Sequence, residues 1–296
     1  MAYGIVSIPE DAREDTEQLG SKPKFWVALG GERWLFKEAR ENTGEDWAEK
    51  VAAELASALG IPAARVELAE YCGRRGCISR SFMSADAGEA LVHGNEILAF
   101  HLTGYDRAKT FNQADHTVHN VVSAIQSLLG SATLVTPMLT TLASYMVLDA
   151  LIGNTDRHHE NWGLLVHVDS GANRLGIGVA PSYDHASSLG RELLDARRAE
   201  LLRNDGLERY IAKGRGGIFH SSSDSRGANP LRLVETAAVE YPHYFRSALL
   251  SVRGLSEDTI GGIVNALPEE RASAVAREFA LAMVLTAQRS LNKIPR

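Results

Sequence analysis

The stretch Gly153-Asn154-Thr155-Asp156-Arg157-His158-His159-Glu160-Asn161-Trp162 lies between an apolar helical pattern and an apolar strand pattern, and Pro181-Ser182-Tyr183-Asp184 follows the next pair of strands. This spacing places Asp156 and Asn161 on one short loop, and Asp184 at the end of the hairpin after it. Carboxylate and amide oxygens are hard donors that suit Mg²⁺. We therefore predict a site that moves a phosphoryl group from ATP to a hydroxyl.

In this interpretation Asp156 accepts the proton of the attacking hydroxyl, while Asn161 and Asp184 hold the metal. The alternative is that Asp156 and Asn161 only cap turns, as these residue types often do. The spacing alone is common by chance. The helix before the loop and the hairpin after it favour the catalytic interpretation.

The composition is that of an ordinary globular protein. The 296 residues are 45% hydrophobic and 23% charged, enough for a large core in one two-lobed domain or two closely packed domains. The net charge of −6 argues against general attraction to nucleic acid or to an anionic membrane. The N-terminus has no secretory signal, and no apolar run approaches the roughly 20 residues that span a bilayer. We expect a cytoplasmic protein with no membrane partner and no direct nucleic-acid binding.

Cys72 and Cys77 flank a Gly-Arg-Arg-Gly turn. They could pair across a hairpin or form half of a zinc site, but no second cysteine pair exists to complete such a site. We favour two reduced structural thiols.

The order of elements predicts an α+β fold, with strands first and helices afterwards. No element is predicted over 85–117, Pro137 is placed in the first turn of its helix, and 213–229 are predicted to be a long mobile loop. Strand patterns fall at 24–29, 33–37, 65–70, 77–83, 163–168 and 174–179, and helical patterns at 47–59, 118–129, 137–152, 192–202, 231–239, 245–252, 257–266 and 269–291.

The pattern Asn154-x-Asp156-x-His158-x-x-Asn161, with Pro181-x-Tyr183-Asp184 after the hairpin, resembles the HipA family of bacterial serine/threonine kinases. Its Asp-Arg-His-x-x-Asn core is also similar to the catalytic loop of phosphatidylinositol 3/4-kinases. The resemblance implies a two-lobed protein-kinase-like fold, with a small β-rich N-lobe over 1–84 and a larger, mostly helical C-lobe over 85–296. It implies ATP and Mg²⁺ as cofactors, and a Ser or Thr hydroxyl of a protein as the acceptor.

The resemblance extends upstream. Gly20-Ser21-Lys22-Pro23-Lys24 resembles the family's phosphate loop, and Trp34-Leu35-Phe36-Lys37 its strand with the nucleotide-binding lysine. Trp47-Ala48-Glu49-Lys50-Val51-Ala52 is similar to the helix whose glutamate pairs with that lysine, and Ile78-Ser79-Arg80-Ser81-Phe82 to the hinge beside the adenine. The implied nucleotide-binding residues are Gly20, Ser21, Lys22, Lys24, Lys37, Glu49, Ser79, Arg80, Ser81 and Tyr183.

Several of these residues have simpler interpretations. Lys37 ends an apolar strand and could be a surface lysine whose stem packs on the sheet. Glu54 competes with Glu49 as its partner, because both lie on one predicted helix. Lys22 and Lys24 could simply solvate the strand end, and the backbone of Gly20 and Ser21 could bind phosphate only if the turn is suitably formed.

Family members often act as toxins of toxin–antitoxin pairs and phosphorylate translation factors such as aminoacyl-tRNA synthetases. The resemblance therefore implies a translation factor as the protein substrate. It also implies an antitoxin as a partner. Because the predicted phosphate loop starts near residue 20, the N-terminal subdomain of longer family members is expected to be absent or to be a separately encoded subunit.

Two features of the loop need separate comment. Adjacent histidines do not converge easily on one metal ion, so we expect His158 to brace the loop by hydrogen bonds and His159 to be exposed. Many HipA-like kinases have a lysine directly before the loop asparagine, whereas this chain has Glu160. Arg157 or a residue of the phosphate loop is then expected to supply the missing positive charge.

Two rival functions follow. The Asp-Arg-His sequence would also suit a kinase of lipids or small molecules, and Glu160 would suit a pseudokinase or nucleotide-binding module. The serine cluster at 221–225 is either a flexible loop or a site of autophosphorylation.

Overall fold

The computed structural model describes residues 2–16, 24–83, 88–169 and 174–295. Within these ranges the N-terminal part forms a six-stranded sheet in the order β1-β5-β6-β4-β3-β2, antiparallel except where β1 pairs with β5. A single 3-10 turn, Glu10–Ala12, separates the first two strands. The strands are β1 Ile5–Ser7, β2 Arg13–Thr16, β3 Lys24–Leu29, β4 Glu32–Glu38, β5 Val66–Tyr71 and β6 Arg74–Arg80.

The alternation of side chains along β4 sorts its residues between the two faces of the sheet. Phe36 packs with Phe25, Tyr71 and Ile78 in a small core on one face. Its neighbour Lys37 therefore points to the other face, which helix α1 (Glu45–Ala58) covers. The tight β3–β4 turn is made by two glycines with φ of 61° and 79°, a region that other residues rarely adopt.

The C-terminal part is mostly helical and carries a second, three-stranded sheet in the order β7-β8-β9. Its strands are β7 Glu89–His93, β8 Gly163–Asp169 and β9 Arg174–Val179. The helices after α1 are α2 Gly94–His101, α3 Val118–Leu129, α4 Ala132–Ile152, α5 Asp195–Arg203, α6 Leu207–Lys213, α7 Pro230–Glu240, α8 Pro242–Gly254, α9 Glu257–Asn265 and α10 Ala274–Leu291.

Helix α4 lies at the centre of the C-terminal part, where it packs against α3, α7, α8 and α10. Among the described helices it is the one that is long and apolar enough to cross a membrane. However, 78% of its most apolar 18-residue stretch is buried inside the protein, as expected for a core helix. The predicted catalytic loop follows the C-terminus of α4 directly.

The α+β prediction and the six predicted strands are confirmed, and the predicted helices are found with shifted ends. Other details differ. β1, β2 and α6 were not predicted, and β7 and α2 occupy part of 85–117. Pro137 lies in the second turn of α4, whose start is exposed, so water can satisfy the carbonyl left without a backbone donor.

The segment 213–229 is irregular, as predicted, and residues on both sides of its exposed middle pack against the rest of the protein. Ile218 and Phe219 are buried. The backbone N–H of Ala228 donates to Ile218 O at 2.7 Å, and that of Gly216 donates to Ala228 O at 2.7 Å. This segment packs directly on the loop after α4, because a Cβ at Gly217 would lie 2.7 Å from Arg157 O.

Candidate active site

The predicted catalytic loop begins where α4 ends. Gly153 adopts φ 65° and donates its N–H to Asp149 O, which terminates the helix. The buried Asn154 donates Nδ2 to Asp149 Oδ1 at 2.8 Å, and its own Oδ1 accepts the backbone N–H of Asp156 at 3.0 Å. Asn154 thus fixes the backbone that carries Asp156.

Arg157 is the structural centre of the loop. It is 4% exposed and donates hydrogen bonds to both carboxylate oxygens of Asp149, at 2.7 and 2.8 Å. Its remaining donors reach the carbonyls of Asn161 and Tyr183 and the hydroxyl of Ser182. Its guanidinium therefore ties the loop to the segment after β9 and is not available to a phosphate, contrary to the suggestion from sequence.

Asp156, Asn161 and Asp184, the predicted catalytic and metal-binding residues, lie on the loop and the segment that Arg157 links. Asn161 donates Nδ2 to Asp156 O at 2.7 Å, which identifies the nitrogen end of its amide and leaves the oxygen as its acceptor group. Ser187 donates its hydroxyl to Asp156 Oδ2 at 3.3 Å. Asp184, with φ 60°, places Oδ1 3.1 Å from Lys37 Nζ. The sheet lysine and the second acidic residue are thus brought into contact.

Lys37 lies between two carboxylates, 3.1 Å from Asp184 and 3.7 Å from Glu49. Burial alone would lower its pKa, but these two negative charges outweigh burial and raise the pKa, so Lys37 is charged at neutral pH. Of the two candidate glutamates on α1, Glu49 is the one near Lys37. Glu54 instead pairs with Lys50 at 2.7 Å.

The residues predicted to contact adenine lie at the end of β6. Ser79 is buried, whereas Arg80 extends to Glu32 in a partly exposed ion pair of 2.7 Å. The ring of Phe82 packs on that of Tyr183, with centroids 5.6 Å apart. Through this contact, the segment after β6 packs against the segment that carries Asp184.

Tyr183 and Lys24 were also predicted to bind the nucleotide. Tyr183 donates its hydroxyl to Glu160 O at 2.7 Å, so it also stabilises the catalytic loop. Lys24 lies opposite Lys37 in the β3–β4 register. The predicted phosphate-loop residues Gly20, Ser21 and Lys22 lie outside the described residues.

The expectation that His159 is exposed was wrong: it is fully buried, and its Nδ1 lies 2.6 Å from the hydroxyl of Tyr105. Burial lowers its pKa to about 4, so it is neutral at physiological pH. His158 Nδ1 accepts the backbone N–H of Glu160 at 3.3 Å, a bracing hydrogen bond of the expected kind. The Glu160 carboxylate lies toward Thr110, with an oxygen 3.4 Å from its hydroxyl.

A charged cluster near Asp156 was not predicted from the sequence. Glu45, at the start of α1, accepts Arg40 Nε at 3.0 Å and also a donor of Arg191. Arg191 in turn donates to Ser187 Oγ at 3.1 Å, and Ser187 donates to Asp156. The pKa of Arg40 is raised, first by Glu45 and to a smaller extent by the charge of Asp156. The Asp156 charge thus acts on Arg40, and Arg191 is linked to Asp156 through the Ser187 hydroxyl.

The joined β-sheet and helical parts, with a lysine of the sheet meeting an aspartate after the C-terminal hairpin, define a protein of kinase-like fold. The sequence model of the HipA-like C-terminal domain matches residues 17–223. The chain belongs to this family.

Two solved structures illustrate the likeness. The Helicobacter pylori proinflammatory kinase CtkA is 18% identical, with a TM-score of 0.81 over 98% of this chain and 96% of that one. HipA of Shewanella oneidensis, solved with HipB and its operator DNA, is 13% identical, with a TM-score of 0.59 over 97% of this chain and 70% of that one. At these identities the likeness shows the fold. No curated protein matches the sequence significantly.

Proposed function

We propose that this protein is an ATP- and Mg²⁺-dependent kinase that transfers the γ-phosphate to a Ser or Thr hydroxyl of another protein. The observation that carries the proposal is the 3.1 Å contact between Lys37 and Asp184, together with Asp156 and Asn161 on the adjoining loop. Lys37 lies more than a hundred residues before the other three in the chain. Together they supply a phosphate-binding cation, metal donors and a proton acceptor, which phosphoryl transfer requires.

ATP would bind between the two lobes, residues 1–84 and 85–296. Ser79, Arg80, Ser81 and Tyr183 would line the adenine side, and Lys37, held by Glu49, would contact the phosphates. The segment Gly20-Ser21-Lys22-Pro23-Lys24 would cover the phosphates from the sheet side.

The donors fit Mg²⁺. Asp184 is 38% exposed at its side chain and Asn161 offers a neutral oxygen, so the protein would supply two hard ligands. In the described residues there is no cluster of three or more acidic, His or Cys side chains that could hold an ion by itself. Mg²⁺ commonly takes one or two protein oxygens and completes its shell with phosphates and water. When bound, the ion would neutralise phosphate charge.

Asp156 would accept the proton of the acceptor hydroxyl. Its Oδ2 is held by Ser187, which sets the orientation of the carboxylate. Arg40 would supply positive charge to the transferred group in place of the buried Arg157, because it lies at the mouth of the site with 57% of its side chain exposed.

We further propose a bacterial translation factor as substrate and an antitoxin-type partner. The support is family membership, together with the fold similarity to HipA, which was solved with HipB. Asp156 is half-buried beside the exposed Thr155, and this position would be accessible to a protein acceptor.

The test is to incubate the purified protein with Mg²⁺ and γ-labelled ATP in a cell lysate, beside Asp156→Asn. Label on Ser or Thr of lysate proteins that disappears in the variant supports the proposal. Label on lipids or small molecules would instead support a kinase of another substrate class, and nucleotide binding without transfer to any acceptor would contradict kinase activity.

A further inference from the structure

We propose that Asp46, in the first turn of helix α1, is a positioning residue: it anchors α1 to the C-terminal part and so fixes the pair formed by Glu49 and Lys37. The role rests on the proposed function, because this pair belongs to the candidate site for ATP. Asp46 is 1% exposed, and its carboxylate lies between Arg75 of β6 and Arg271 of the segment between α9 and α10.

Both carboxylate oxygens of Asp46 accept hydrogen bonds. Arg75 donates Nη2 to Oδ1 at 2.7 Å and Nε to Oδ2 at 3.1 Å, and Arg271 donates Nη1 to Oδ2 at 3.3 Å. The Arg271 side chain is 3% exposed, and its Nη2 lies 3.4 Å from the Glu70 carboxylate. Arg75 Nη2 also donates to Arg271 O at 3.2 Å. One carboxylate of α1 thus joins a strand of the N-terminal sheet to a segment of the C-terminal part.

The segment that presents Arg271 is itself fixed by the C-terminal part. The backbone N–H of Arg271 donates to Pro268 O at 2.9 Å, and Arg277 of α10 donates to the carbonyls of Leu267 and Ala272, at 3.2 and 2.9 Å. Helix α10 packs against α4, and the catalytic loop follows α4 directly. Arg271 therefore connects α1 to the helices that carry the catalytic loop.

The anchor lies one helical turn before Glu49. Residues three apart in an α-helix lie on the same face, so Asp46 and Glu49 share the face of α1 that covers the sheet. Lys37 lies 3.7 Å from Glu49 and 3.1 Å from Asp184 of the C-terminal part. Because the lysine amine lies between carboxylates of two different parts, it keeps this position only while α1 and the C-terminal part keep theirs.

A buried ion cluster is suited to set a position. The cost of desolvating the charges offsets much of their attraction, so buried ion pairs add little net stability, whereas in some proteins they select one arrangement over others. The neighbouring acid of the same turn, Glu45, is also buried and pairs with Arg191 of the C-terminal part. Two adjacent carboxylates, each with an arginine of the C-terminal part, therefore fix the rotation of α1 about its own axis.

The first measurement needs no nucleotide. Amide hydrogen exchange of α1 and of α4 is followed by mass spectrometry in wild type, Asp46→Asn and Arg271→Met. We expect exchange in α1 to accelerate about tenfold more than exchange in α4, because the lost bonds to a charged group release α1 locally. Equal acceleration in the two helices, or unchanged exchange in α1, overturns the inference.

The second measurement is a double-mutant cycle in the full chain. The affinity for a non-hydrolysable ATP analogue with Mg²⁺ is measured by calorimetry for Arg271→Met, Glu49→Gln and the double variant. We expect Arg271→Met to weaken binding about tenfold in the wild-type background and less than about twofold in the Glu49→Gln background, because the anchor acts through Glu49. Arg271→Lys keeps a positive charge beside Asp46 and should recover part of the affinity.

Arg253→Met is the matched control. Arg253 of α8 also uses its guanidinium to bind backbone carbonyls, those of Asn292 and Ile294, and α8 packs against α4, α7 and α10. This variant should leave both the exchange of α1 and the affinity for the analogue unchanged. Where Arg271→Met does not fold, Asp46→Asn takes its place in the cycle.

Equal weakening of binding in the two backgrounds, with wild-type binding intact, is the result of a merely structural role and overturns the role of Asp46 alone. Failure of wild type to bind Mg²⁺ and the analogue overturns the proposed function and with it the role in nucleotide binding. The two failures are distinguishable, because hydrogen exchange tests the anchoring of α1 without nucleotide.

Discussion

Arg157 and Arg40 carry the same charge but differ in burial and in what their guanidinium groups contact. Arg157 is buried and uses its donors on Asp149, Ser182 and backbone carbonyls. Arg40 is more than half exposed and lies in the field of the Asp156 carboxylate. A residue's place in a motif therefore does not show whether its charge is available to a ligand, whereas its burial and hydrogen-bond partners do.

If Arg40 stabilises the transferred group, Arg40→Ala should lower kcat about tenfold or more and change the KM for ATP little, as for a charge used in the transition state. Glu160→Lys places a cation directly before Asn161 and should restore part of the lost rate in the double variant. Steady-state kinetics of the four proteins measure this. Arg232→Ala on α7 is the control. A rate that Arg40→Ala leaves unchanged contradicts the role.

At the scale of elements, the sequence predicts what local patterns determine. The paired glycines between β3 and β4, and the four-residue rhythm of apolar residues on α1, are local signals, and both elements appear in place. β7 and α2 escaped prediction because β7 is short and half-buried and pairs with β8, about seventy residues away. Long-range pairing of this kind leaves little trace in a single sequence.

The candidate site could be predicted in part. A short loop motif indicated Asp156 and Asn161, the end of the hairpin indicated Asp184, and the end of an apolar strand indicated Lys37; the structure brings Lys37 and Asp184 into contact, and the catalytic roles stay predictions. The Arg40–Glu45–Arg191 cluster was not found, since its members are brought together only by the packing of α1 on the segment after Asp184. The burial of His159 depends likewise on Tyr105, which lies in a segment without a predicted element.

The side chain of Asn229 links helices α6 and α7 beside the catalytic loop. Asn229 caps α7 by accepting the N–H groups of Leu231 and Arg232, and its Nδ2 donates to Ile211 O and Gly214 O at the end of α6. Asn229→Ala should cost about 2 kcal/mol, because it removes the cap of α7 and the two hydrogen bonds that Nδ2 donates to the end of α6. Urea unfolding measures this. The exposed cap Ser256→Ala on α9 should cost about half as much, and equal losses would contradict the account.

At the scale of the whole molecule, three buried histidines link stability to pH. Burial is the main cause that lowers the pKa of His116, His159 and His185, to about 3, 4 and 3. The unfolded chain takes up these protons near pH 6.5, whereas the folded protein does not. Stability is therefore fully present above about pH 6.5 and falls as the pH decreases toward 4, by about 1.4 kcal/mol per pH unit for each histidine.

His159→Asn should accordingly reduce the slope of unfolding free energy against pH by about 1.4 kcal/mol per unit between pH 6 and pH 4.5. Urea titrations across this range give the slope. Val239→Ala, at an exposed side chain without a titratable group, should leave it unchanged. A slope that His159→Asn does not alter would show that this ring is protonated as easily in the folded protein as in the unfolded chain.

The most direct test of the central claim is the release or transfer of γ-phosphate by the purified protein with Mg²⁺ and labelled ATP, compared with Asp156→Asn at equal stability. The account predicts that label leaves ATP only with Mg²⁺ present, and that the variant, which keeps the fold but loses the proton acceptor, is slower by about a hundredfold or more. Equal rates for the two proteins, or no loss of label from ATP with any acceptor, would contradict it.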